Sequence, residues 1–86
     1  MDIAEQLVVH RSGAVLSIDA REAIRNGFHP RHEILQMVNQ APFGTLCEIH
    51  TPHRPGPLIS AIKGMGLNVV TTEVEPGHWR LRVMKM

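Results

Sequence analysis

Asn26-Gly27-Phe28-His29-Pro30-Arg31-His32-Glu33 is the stretch on which the fold turns, because it reads as the doorway of a helix. Pro30 suits the first helical position, where its missing N–H costs nothing. Ile34, Leu35, Met37 and Val38 continue from it as an apolar stripe at helical spacing, with Arg31, Gln36 and Asn39 outside, so a helix is expected over residues 30–40. Ala41-Pro42-Phe43-Gly44 ends it. His29 and His32 then stand where free backbone N–H groups and the helix dipole favour an anion or a nucleophile. A cysteine at position 29 would have a lowered pKa there. The chain carries histidine instead.

Upstream, residues 14–18 alternate as a strand, with Leu16 and Ile18 on one face and Val15 and Ser17 on the other. Leu7-Val8-Val9 and Arg11-Ser12-Gly13 fit the first arm of a hairpin with a Ser-Gly turn. A short helix from an N-capping Asp2 to Val8 fits as well, so residues 1–13 stay open between an extra strand and a short helix. Residues 19–28 form a connecting loop with a helical turn at 20–25.

Downstream, residues 45–51 alternate, with Cys47 and Ile49 on one face and Glu48 and His50 on the other. A rigid loop, Thr51-Pro52-His53-Arg54-Pro55-Gly56, leads to a second helix over residues 57–65. Leu58, Ile59 and Ile62 face inward from it, and Gly64 and Gly66 terminate it. Residues 67–75 and 79–85 read as strands around the turn Glu75-Pro76-Gly77-His78. A two-residue Pro76-Gly77 loop sets Val74 opposite Trp79, Val70 opposite Val83 and Glu73 opposite Arg80. The order is β-α-β-α-β-β. With right-handed crossovers both helices cover one face of a four-stranded mixed sheet, an α+β fold of the two-layer α/β sandwich type.

Eighty-six residues make a single domain, 1–86, with a modest core that dimerisation would supplement, so a monomer or homodimer is expected. Phe28, Phe43 and Trp79 are the only large aromatics, which calls for an aliphatic core with Trp79 as an anchor. A formal net charge of +1 without basic–aromatic interleaving argues against nucleic acid and against an anionic membrane surface. No apolar run approaches the ~20 residues that span a bilayer. Met1-Asp2-Ile3-Ala4-Glu5 lacks the basic start and apolar stretch of a signal peptide. The single cysteine, Cys47, fits a reducing compartment, so a cytoplasmic location is expected.

Several short motifs follow one another along the chain: Ser17-Ile18-Asp19-Ala20-Arg21, Gly27-Phe28-His29-Pro30, Pro55-Gly56-Pro57-Leu58, Gly66, and the closing Glu75-Pro76-Gly77-His78-Trp79-Arg80-Leu81-Arg82-Val83. That order and spacing resembles the TusA/SirA-like superfamily over about residues 16–84. The last segment looks most like a branch without the sulfur-carrier cysteine, whose members occur alone or beside hemerythrin-like domains. In the carriers the first helix opens with Cys-Pro-x-Pro and the cysteine holds a persulfide. His29-Pro30-Arg31-His32 stands at that run here, and only Pro30 matches. Imidazole cannot hold a sulfane sulfur. Cys47 lies mid-strand on the face toward the helices, where burial raises a thiol pKa and removes reactivity. The resemblance therefore implies a non-catalytic accessory or interaction module, tied to sulfur, redox or metallocentre metabolism through a protein partner, and not itself a persulfide carrier.

The candidate ligand- or partner-binding residues are Asp19 and Arg21 at the end of the first strand, His29, Pro30 and His32 at the doorway, Arg54 before the second helix, and Arg80 and Arg82 on the last strand. Free N–H groups at the second helix could hold an anion with Arg54. Arg80 and Arg82 project together, with Glu73 and Glu48 near, and form a mixed-charge face. The plainer alternative has Asp19 capping a loop turn and the arginines solvated. Six histidines are many for this length, and His29, His32, His50 and His53 make a conceivable composite metal site, against the alternative of four solvated imidazoles. Cys47 and His50, three apart on a strand, point to opposite faces. Apart from such a metal ion no cofactor is expected. No glycine-rich phosphate cradle, no serine–histidine–acid set and no paired carboxylates can be assembled, which leaves an enzyme as the least favoured reading.

Overall fold

The structure is a computed structural model that describes residues 6–86. In chain order it contains β1 (Val8–Ser12), β2 (Val15–Asp19), α1 (Arg21–Arg25), α2 (Arg31–Gln40), β3 (Leu46–Thr51), α3 (Gly56–Gly64), β4 (Val69–Glu75) and β5 (His78–Met84). The five strands form one mixed sheet in the order β1-β2-β3-β5-β4. The fold is α+β, as expected. The expected four strands and two helices in β-α-β-α-β-β order are corrected to five strands and three helices.

The extra strand comes from a tight hairpin. Ser12 pairs with Val15, so the loop is Gly13-Ala14 and not Ser-Gly. Gly13 has φ 57°, the positive φ that the primed two-residue hairpin turns need at their first position. Of the helix considered from Asp2, residues 2–5 lie outside the described residues, and its far end, Val8, begins β1. The extra helix, α1, condenses the expected turn at 20–25 around a buried Ala23.

β2 and β3 are parallel neighbours, and β4 runs parallel to β3 with β5 between them. Both connections step the same way across the sheet, so a common right hand lays the helices over one face. There Leu16, Ile18, Cys47, Ile49, Leu81 and Val83 meet Ile34 and Val38 of α2 and Leu58, Ile59 and Ile62 of α3 in a single buried cluster. The core is aliphatic, as the scarcity of aromatics implies. Trp79 is not in it. It stands half-buried near the end of the helix-side face, opposite Thr51 and Glu73.

The β4–β5 register differs by one residue from expectation. Glu75 pairs with His78, but a bulge at Val74 then sets Glu73 opposite Trp79, Thr72 opposite Arg80, Val70 opposite Arg82 and Val69 opposite Val83. The reason lies in the turn. Pro76 cannot take φ > 0, so the loop cannot be of the primed types that match strand twist. Gly77 at φ 83° accommodates a type II geometry, and the bulge restores the twist. Glu73 therefore lies on the helix-side row and not across from Arg80.

Lys85, just beyond β5, is buried with its ammonium under the end of α2. Its Nζ donates to the carbonyl oxygens of Val38 at 2.7 Å and Asn39 at 3.0 Å. α2 has no basic residue in its own last turn, so a strand tail supplies the cation that the helix C-terminus favours.

Candidate functional site

The doorway of α2 opens on a cleft. α1 ends where Gly27, at φ 86°, reverses the chain, and the Phe28 N–H donates to the Ala23 carbonyl at 3.0 Å. The chain then enters α2 through Pro30, which occupies the cap position, one residue before the expected one. Facing it is the loop from β3 to α3. Thr51, fully buried, donates from Oγ1 to the His53 carbonyl at 2.8 Å and holds that loop in place. Between the two lies a cavity of about 600 Å³. Ile24, Phe28, Ile34 and Leu58 line its apolar part, and His29, Arg31, His32 and His53 its polar part.

The structure thus brings His29, Pro30, His32 and His53 to one place and leaves the other candidates elsewhere. His50 projects to the opposite face of the sheet, in the row of Asp19 and Arg80. Among the described residues no three His, Cys, Asp or Glu side chains stand close enough to hold a metal ion. Arg54 is exposed and is not among the residues lining the cleft. Cys47 is fully buried on the helix side, and burial pushes its thiol pKa up.

The open sheet face carries the second set of candidates. Asp19 accepts from Arg21 through a fork, Nε to Oδ1 at 3.0 Å and Nη2 to Oδ2 at 2.8 Å, and also takes the Arg21 backbone N–H at 3.1 Å. The Arg21 guanidinium holds the Asp19 carboxyl below its usual range. This pair closes the turn between β2 and α1, and neither residue lines the cleft. Arg82 Nε lies 3.8 Å from the Glu48 carboxylate. Arg80 Nε is buried with no hydrogen-bond partner among the described residues.

His50 Nδ1 and His78 Nε2 are 2.8 Å apart. One ring must accept, so at most one of the two is charged while the contact lasts. Burial, ahead of every nearby charge, lowers the His50 pKa, and Asp19 acts in the opposite sense. His78 and Lys85 are missing from the expected set. A signal for His78 existed, since it shares the parity of Arg80 and Arg82 on β5. Nothing local marks Lys85, whose partners lie more than forty positions away.

Compared with protein-family models, with curated proteins and with solved structures, the chain matches none. The functional reading therefore rests on the cleft and on the chemistry of the residues around it.

Proposed function

We propose that this chain is a non-catalytic accessory module of TusA-like type that engages a protein partner at the α2 doorway, in the cytoplasm, in the service of sulfur, redox or metallocentre metabolism. The observation that carries the reading is the convergence of His29, Pro30, His32 and His53 on one cleft with an apolar floor. Well-formed apolar cavities with a few converging polar groups are where proteins bind. The position at which a sulfur carrier would present its thiol holds imidazole. The one thiol, Cys47, is sealed in the core with a raised pKa, so the module binds without carrying sulfur.

The test is site-specific photocrosslinking in cells. A benzophenone amino acid replacing exposed His53 should give a discrete protein adduct, and the same probe replacing Thr72 on the open face should give none. Adducts at Thr72 alone would remove the cleft from the argument. A persulfide found on Cys47 by mass spectrometry would remove the non-carrier assignment.

A further inference from the structure

We infer that the α2 doorway cleft recognises a carboxylate carried on an apolar body, either a free organic acid or the C-terminal residue of a partner chain. This rests on the binding-module reading and names the chemistry that the module selects. Three independent features of the cleft point the same way.

The first is the lining. Every ionisable side chain among the described lining residues is Arg or His: His29, Arg31, His32 and His53. No carboxylate is among them. Glu33, the next residue of α2, is not a lining residue. Arginine presents a fork of donors matched to a carboxylate, and an imidazole can donate a hydrogen bond whether neutral or charged.

The second is the backbone. Two helices of eight residues or more begin at this cavity: α2 with Arg31 and His32, and α3 with Pro57 and Leu58. Neither start carries a side-chain cap. The first intrahelical bonds are those from the Ile34 N–H to Pro30 and from the Ile59 N–H to Pro55. At α2 the N–H groups of Arg31, His32 and Glu33 precede that bond, whereas at α3 the Gly56 N–H donates to the Arg54 carbonyl at 3.1 Å and Pro57 has none, which leaves the Leu58 N–H; both dipoles present their positive end to the same space. Helix starts alone would define no ligand. Here they border a cavity lined by Arg31 and three histidines.

The third is the floor. Ile24, Phe28, Ile34 and Leu58 make the deeper part apolar, and about 600 Å³ admits a ring or a branched side chain beside the carboxylate. An inorganic anion would leave that surface unused. A neutral apolar ligand would leave the Arg31 guanidinium and the imidazole donors unused.

The experiment is a titration of the full-length, isotope-labelled protein followed by amide NMR shifts. One arm uses phenylacetate against its neutral isostere phenylacetamide. The other uses the peptide Ala-Ala-Ala-Ala-Phe with a free against an amidated C-terminus. We expect saturable shifts at the amides of Arg31, His32, Glu33 and Leu58 with an acid form. The neutral counterpart should bind about tenfold or more weakly, the range for losing a charged hydrogen bond. The arm that saturates at the lower concentration identifies the source of the carboxylate. Arg31→Gln should weaken the acid form and leave the neutral form unchanged, with unmoved β4–β5 amides showing that the fold is intact. Equal affinity for acid and neutral forms, no saturation in either arm, or shifts centred outside the cleft would overturn the inference. Crosslinking at His53 without charge selectivity would leave the accessory-module reading standing and remove only the ligand class. Charge-selective binding without crosslinking would do the reverse.

Discussion

Replacing Lys85 with methionine tests the least local contact in the fold. The backbone of Lys85 is held on both sides, its N–H donating to the Thr45 carbonyl at 2.9 Å and its carbonyl accepting the Gly44 N–H. The substitution therefore removes the ammonium without releasing the strand end. Methionine keeps most of the apolar stem. What is lost is the pair of charge-assisted hydrogen bonds to the Val38 and Asn39 carbonyls, each worth about 1.5–3 kcal/mol in comparable settings. Also lost is the cation at a helix C-terminus, worth up to about 2 kcal/mol when partly buried. These are overlapping descriptions of one interaction and do not add. Water reaches the freed Asn39 carbonyl more easily than the buried Val38 one, which trims the cost further. The net loss should be about 2–3 kcal/mol, or roughly 10–20 °C in Tm for a domain of this size. Thermal and urea unfolding by circular dichroism would measure it. High salt should leave the difference nearly unchanged, because a buried ammonium is poorly screened. Phe43→Ala should cost only about 0.5 kcal/mol, since the ring lies 5.8 Å from the ammonium and is itself 81% exposed. A loss below about 0.5 kcal/mol for Lys85→Met would refute the claim that this side chain closes α2.

Two further outcomes follow from the same structure. Cys47 should react with a disulfide-exchange reagent at least about a hundredfold more slowly in the folded chain than in denaturant, because labelling requires opening of the core; labelling at the rate of a free thiol would contradict its burial. The lowered His50 pKa makes the unfolded chain bind more protons than the folded one below the ordinary imidazole value of 6.5. Stability should therefore fall as pH drops through that region, with His50→Gln flattening the decline. The lowered Asp19 pKa gives stability that is present above 3.8 and lost below it, so both groups act in the same sense. A Tm that rises on acidification from pH 7 toward 5 would show that the sign is wrong.

Much of the fold was legible because its signals are short-range. The stripe of Ile34, Leu35, Met37 and Val38 marks α2, the inward trio Leu58, Ile59 and Ile62 marks α3, and the alternation of Cys47 and Ile49 marks the buried face of β3. The bulge at Val74 escaped, although its cause is local, because the conflict between the Pro76-Gly77 turn and strand twist has several geometric resolutions. The hairpin at the N-terminus stayed open because an exposed edge strand carries no core-facing alternation to set it apart from a helix. All five residues of β1 are exposed.

The sequence by itself determined the α+β class, the aliphatic core, the histidines at the α2 doorway and the burial of Cys47. Each depends on side-chain period or residue chemistry within one element. Tertiary structure alone decided that His53 joins His29 and His32 while His50 turns away to meet His78, and that Lys85 crosses to the end of α2. Those outcomes depend on which strands lie side by side and in what register. Packing over the whole chain sets such pairings, and local sequence does not encode them.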